Sequence, residues 1–240
     1  MKIKKSKTIT EDRETYFTEK RRIIRENQGG ILMRTKNGVN TLKLTQLALL
    51  TAIILLMAFT PIGYIKTFGL EISLIVIPVT IGAIVLGPAA GAFLGGVFGI
   101  TSFIQCFGLS AFGVALLAIN PVATFITCLI PRILMGWITG LIFMGLRKSG
   151  LKETAYPIAS LLGPVLNTVL FMTSLLAFFY NSDFIQGVAD SFGSKNIFQF
   201  VIAMVGINGL VEAGTCLIIG AAIARALDAF VKRNTRESRA

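Results

Sequence analysis

The first forty positions mix charged and uncharged residues freely, and from position 42 onward the pattern changes to long apolar runs with few interruptions. Five runs stand out, at 44–65, 69–108, 111–146, 155–180 and 197–224. A helix needs roughly 20 mostly apolar residues to cross the hydrocarbon of a bilayer, and each run meets or exceeds that length. The run 69–108 is too long for one span and is broken at Gly87-Pro88. The residue before a proline is pushed out of helical geometry, so this dipeptide predicts a tight turn between antiparallel helices near 70–86 and 89–107. The other predicted helices run about 43–61, from Pro121 to about 146, 154–180 and 197–229. By pattern alone the stretch 111–146 admits two readings: a loop followed by one long helix from Pro121, or two spans.

Charge decides between them. Lys and Arg accumulate in short cytoplasmic segments of membrane proteins. The N-terminal region is basic, the connection 147–153 carries Arg147, Lys148 and Lys152, and the C-terminal tail carries Arg225, Lys232, Arg233, Arg236 and Arg239. The alternate loops are poor in cations: 62–69 has Lys66, 108–120 has none, and 181–196 has Lys195 against Asp183 and Asp190. Six spans put all three basic segments on one side; a seventh would strand one terminal cluster. The sequence therefore predicts an all-α integral membrane bundle of six transmembrane helices with both termini cytoplasmic. Residues 1–40 read as a basic tail without fixed structure, 41–233 as the membrane domain and 234–240 as a short cytoplasmic tail. Residues 1–32 precede no short apolar core with a cleavage site, so they do not read as a signal peptide. Gln28-Gly29-Gly30 lies just before Met33, and codons for such a run can resemble a ribosome-binding sequence, which makes Met33 a second possible start.

Composition narrows the function classes. The chain is 54% hydrophobic and 15% charged, too apolar to cover a soluble surface. Its net charge of +11 raises the question of nucleic acid, but the cations sit where topology requires them, and no nucleic-acid partner is expected. There is no histidine, the commonest general base and metal ligand. Cys106, Cys128 and Cys216 are scattered through apolar segments without metal-ligand spacing and read as buried free thiols. No phosphate-binding GxxxxGK[ST] loop, HExxH or GxSxG occurs, so neither nucleotide hydrolysis, an enzyme activity, a metal nor a cofactor is expected. No Asp or Glu series crosses the bundle to carry protons, and no inverted repeat is evident.

Polar residues within the apolar runs carry the candidate chemistry, because an ionisable group in the bilayer costs at least ~2.5–3.5 kcal/mol and marks function by default. Arg132, Asn167, Asn208 and Glu212 lie at mid-depth or in the outer half of the predicted helices, with Gln105 near the outer end of the third and Asn120 capping the fourth beside Pro121. Arg132 can present a bidentate guanidinium to a ligand carboxylate, with Glu212 and the asparagines meeting hydroxyls or amides. The competing reading is an Arg132–Glu212 ion pair that only locks two helices. Tyr64, Lys66 and Glu71 fall in the first outer loop, a possible lid, and Phe103, Phe107 and Phe112 supply apolar wall or interface anchors. Glycines recur at 87, 91, 95 and 99, which gives one helix face a smooth groove for close backbone approach, either inside the bundle or against a sliding partner. Ala48 and Ala52 repeat the small-residue spacing on the first helix.

The segment from Ile77-Pro78-Val79-Thr80 through Gly87-Pro88-Ala89-Ala90-Gly91-Ala92, with its continuation Gly95-Gly96-Val97-Phe98-Gly99, resembles the signature of the substrate-binding S components of energy-coupling factor transporters. Ile130-Pro131-Arg132-Ile133-Leu134-Met135-Gly136, ahead of a basic connection, fits as well, and the resemblance extends over roughly 41–233. It implies six helices, both termini inside, and a vitamin held in an outward-facing pocket capped by the first outer loop. It also implies association with a transmembrane coupling subunit and two ATPase subunits, docking through an alanine motif matched by Ala48 and Ala52, and toppling in the membrane to deliver the ligand. Thr60-Pro61-Ile62-Gly63-Tyr64-Ile65 and Pro131-Arg132 look most like the pantothenate branch. Folate and niacin also carry carboxylates, and a neutral vitamin such as riboflavin or a pyridoxine-like compound fits if Glu212 neutralises Arg132. A membrane assembly protein without a ligand is the reading from another class.

Overall fold

The computed structural model describes residues 41–60, 63–66, 71–151, 153–193 and 196–226. The expected tails 1–40 and 234–240, and the possible start at Met33, lie outside the described residues. Thr41–Phe59 forms α1. A two-stranded antiparallel pair follows, β1 (Tyr64–Lys66) with β2 (Glu71–Ser73), in register Ile65 opposite Ile72. Then come α2 (Val76–Val85), α3 (Pro88–Gln105), α4 (Ala111–Ile119), α5 (Pro121–Lys148), α6 (Ala155–Phe179), α7 (Asp183–Ser191) and α8 (Ile197–Thr215). A π-helical turn, Cys216–Gly220, continues α8 before helix resumes over 221–226.

Among the described residues four helices, α1, α3, α5 and α6, are long and apolar enough to cross a membrane, and α2 is a shorter apolar helix. The chain is a multi-pass membrane protein built on this helical bundle. The ambiguous stretch 111–146 resolves as a short α4 followed by one long helix from Pro121, because Asn120 stops the chain in extended geometry and its Oδ1 accepts from the Val122 and Ala123 amides at 3.1 Å. Two expectations are corrected. The second helix begins at Val76 rather than near 70, because Glu71–Ser73 pairs as a strand with 64–66 and the Leu74 amide donates to the Gly63 carbonyl. The loop 181–196 contains α7, whose N-cap Ser182 accepts from the Ile185 amide.

Thr41–Thr45 is the first turn of α1, where the Thr45 hydroxyl donates to the Thr41 carbonyl at 2.9 Å. Residues 46–226 belong to one compact unit. Its tightest contact is the antiparallel seam of α3 against α5. Gly91 faces the Gly136 carbonyl, Gly95 the Arg132 carbonyl, Gly99 the Cys128–Leu129 backbone, and Gly140 lies against Pro88. A β-carbon at any of these positions would collide with backbone, which cannot swing aside. The glycine groove foreseen in the sequence is thus spent inside the bundle. Gly87 turns the chain into α3 at φ +100°, a left-handed geometry that favours glycine.

Two apolar cores fill the unit. One joins α1, α2, α3 and α5 through Ile54, Val79, Leu94, Phe98 and Met135. The other gathers Leu116 of α4, Leu175 and Phe179 of α6, Ile185 of α7 and Phe200 of α8. The short helices α4 and α7 therefore close one end of the bundle over α6 and α8. The helix α2 is only about 15 Å long at 1.5 Å per residue. Nine of its ten residues are buried, so its ends meet protein and not lipid, where non-helical backbone is tolerated.

Candidate functional site

Pro131 lies inside α5 and has no N–H, so the carbonyl of Thr127, four residues earlier, loses its helical donor. Helical side chains lean toward the N-terminus, which carries Arg132 back over that gap. Its Nη1 donates to the Thr127 carbonyl at 2.7 Å. The guanidinium also lies 4.6 Å from the Phe171 ring centroid on α6 and 5.5 Å from that of Phe98 on α3. Phe98 belongs to the first apolar core and Phe171 packs against the second, so Arg132 sits at their junction. Cation–π attraction there offsets part of the loss of water. Arg132 is buried to 9% exposure, and its Nε has no partner.

Asn167 lies one turn from Phe171 on α6, on the same helix face. It is buried, and its Oδ1 has no partner. The packing of Gly220 against Ser160 sets the antiparallel register of α8 on α6, and that register brings Glu212 level with Asn167. Glu212 is also buried, and its Oε1 has no partner. No direct Arg132–Glu212 ion pair forms; an ion pair among the described residues joins Arg225, in the helical segment 221–226 beyond the π-helical turn, to Glu153. Three helices thus present Arg132 Nε, Asn167 Oδ1 and Glu212 Oε1 as buried polar atoms without partners. Burying such a group unsatisfied costs ~1–3 kcal/mol, and native structures keep few of them without a reason.

The remaining expected site residues are placed differently. The Gln105 side chain is buried, and its Nε2 donates to the Ala58 carbonyl, which ties α3 to the end of α1. Asn120 is exposed, spends its Oδ1 on the α5 cap, and lies twelve residues from Arg132, about 18 Å along the helix. Neither joins the buried group. Tyr64 and Lys66 lie on β1, in the first loop as expected, but their side chains lie outside the described residues, as does that of Asn208 on α8. Ala48 and Ala52 are both exposed on α1. Phe103 packs edge-on against Phe107 and Phe125, and Phe112 packs against Phe184 of α7.

Sequence reasoning missed Thr127, Phe98 and Phe171. For Thr127 the signal was present: a Pro-Arg pair inside a helix frees the carbonyl four residues before the proline and supplies the donor to meet it. No local signal pointed to the two rings, which reach Arg132 from other helices.

Residues 42–224 match the family model described as ECF transporter, substrate-specific component. The chain is also 28% identical over 204 residues to a pantothenate transporter, PanT, of Leuconostoc mesenteroides subsp. mesenteroides, an alignment covering 83% of this chain and 96% of that protein.

Proposed function

The chain belongs to the family of substrate-specific components of ECF transporters, and on that footing we propose that it is the high-affinity vitamin-binding S component of an ECF-type importer, with pantothenate as its ligand. The observation that carries this reading is the unspent hydrogen-bonding capacity of Arg132, Asn167 and Glu212 inside the bundle. Pantothenate offers a carboxylate, an amide and two hydroxyls. The carboxylate suits the free edge of the Arg132 guanidinium, and the amide and hydroxyls suit Asn167, Glu212 and Asn208. With no direct ion pair to Glu212, the Arg132 guanidinium stays open to an anion, which favours pantothenate over a neutral vitamin. The likeness to a pantothenate transporter over most of both chains supports the same choice.

In this reading α1, α2, α3, α5, α6 and α8 are six crossings with both termini inside, and the strand pair of the first loop lies over the ligand. The importer also requires a transmembrane coupling subunit and two ATPase subunits. The exposed Ala48 and Ala52 on α1 supply a smooth stripe on which the coupling subunit docks. Mass spectrometry of extracts from the purified protein should recover pantothenate, and a thermal-shift panel of vitamins should single it out. A panel without a response, together with vitamin-free extracts, overturns the reading; a response to riboflavin alone moves the ligand and not the family.

A further inference from the structure

Two thiols meet where α3 ends against α5. Cys106 is the C-cap of α3 and Cys128 lies 22 positions later on α5, with their Sγ atoms 3.9 Å apart. Both are buried and free. Cys106 Sγ also lies 3.3 Å from the Ser102 carbonyl oxygen. Gly113 of α4 packs directly on Cys106, where a β-carbon would stand 2.7 Å from the sulfur. The third thiol, Cys216, opens the π-helical turn after α8 and takes no part in this contact.

We propose that Cys106 and Cys128 form an oxidation site, which hydrogen peroxide, a small uncharged oxidant, converts to a disulfide between α3 and α5. One sulfur attacks the peroxide, the O–O bond breaks, and a sulfenic acid and one water result. The second thiol attacks that sulfur, the S–O bond breaks, the S–S bond forms, and a second water leaves. The two cysteines give up two electrons and two protons, and one peroxide is reduced to two waters. A disulfide needs its sulfurs near ~2.05 Å, so they must close by just under 2 Å. The helices themselves cannot supply that motion, because Gly99 already holds α3 against the backbone of Cys128 and Leu129. Rotation of the two side chains must supply it. Burial excludes a bulky disulfide reagent and selects a small oxidant.

The site has a consequence for Arg132. Thr127, whose carbonyl receives Arg132, directly precedes Cys128, so turning the Cys128 side chain repacks the residue beside the carbonyl that holds the guanidinium. This consequence rests on the pantothenate reading; the crosslink itself does not.

The full chain in lipid nanodiscs is treated with hydrogen peroxide, denatured, alkylated with N-ethylmaleimide and weighed. The expected product carries one maleimide instead of three, and its digest contains a linked pair of peptides bearing Cys106 and Cys128. Cys106→Ser should form no crosslink. Three maleimides, under conditions that oxidise the unfolded chain, overturn the site, as do a bond to Cys216 or sulfinic acids at 106 and 128 without a crosslink. Pantothenate affinity is then compared before and after oxidation, with a shift of about threefold or more, reversed by dithiothreitol, expected. A crosslink without that shift overturns the coupling to Arg132. A reduced protein that binds no pantothenate counts against the ligand reading and leaves the mass result standing.

Discussion

The helix α5 serves two neighbours in opposite ways. Toward α3 it offers backbone: Gly136, Gly140 and the Arg132 carbonyl meet Gly91, Pro88 and Gly95 with nothing flexible between them. Toward α6 it offers the Arg132 side chain, held by a single hydrogen bond, the Phe171 ring of α6 and, from behind, the Phe98 ring of α3, with Nε unmatched. The first surface is rigid because in lipid helices associate by close van der Waals contact. The second keeps polar atoms that cost stability until something binds them. A membrane receptor needs both, since a site with unmet hydrogen bonds keeps its geometry only on a frame that does not yield.

The largest effect should come from breaking the frame. Gly95→Leu places a side chain against the Arg132 carbonyl, so α3 and α5 must part. Overpacking of a core typically costs ~1–3 kcal/mol, and a backbone obstacle puts this variant at or beyond the upper end. Size-exclusion chromatography should show little monodisperse protein. Gly145→Ala, near the end of α5 with open space around it, should fold as well as the parent. Equal behaviour of the two variants would remove the distinction between seam and cradle.

Arg132→Ala attacks the other surface. Removing one partner of a buried charged contact costs ~2–5 kcal/mol, so pantothenate affinity measured by calorimetry should fall about 30-fold or more. Arg132→Lys should recover little of it, because an ammonium has neither the planar fork nor its reach. The unliganded protein should still be monodisperse, unlike Gly95→Leu. Retained affinity would take the ligand carboxylate elsewhere in the bundle.

The seam was legible in the sequence and the cradle was only partly so, for a physical reason. Glycines every four residues and the Gly87-Pro88 break are local patterns, and helical periodicity fixes which face they share. Which helix they meet is not local, so the sequence favoured internal packing but left a partner open as well. Arg132, Asn167 and Glu212 declared themselves by being polar in an apolar run, but Phe98 and Phe171 could not, since aromatics are common in such runs. Gln105 and Asn120 were polar for reasons close at hand, a helix tie and a helix cap. The run from Glu71 to Val85 illustrates another limit: apolar periodicity over so few residues does not separate a strand from the start of a buried helix. The meeting of Cys106 and Cys128 is tertiary and left no trace in spacing.

A smaller and more diagnostic effect should follow Pro131→Ala. The new N–H can return to the Thr127 carbonyl and complete the helix, displacing Arg132 from its acceptor. Helix continuity should raise the melting temperature of the unliganded protein, while pantothenate binding weakens several-fold as the guanidinium loses its anchor. Opposite signs in the two measurements would show that α5 gives up local stability to aim Arg132. A fall in both would make Pro131 part of the frame and blur the division drawn above.

The smallest effect belongs to a charge pair that lies in neither surface. Arg225 Nη2 stands 2.5 Å from Glu153 Oε2, with the two side chains 65% and 70% exposed. Water competes for both ions, and holding two long side chains in one geometry costs entropy, so such pairs are worth ~0–1 kcal/mol. Glu153→Gln should therefore move the melting temperature by a degree or two at low salt and by nothing measurable once salt screens the pair. Arg132 should behave in the opposite way, because burial keeps salt from its surroundings: its contribution to binding should persist at ionic strengths that erase the Arg225–Glu153 pair. If raising salt weakened pantothenate binding as strongly as it weakened this surface pair, the guanidinium would have to be bathed in solvent, and its place between Phe98 and Phe171 could not be the resting state of the receptor.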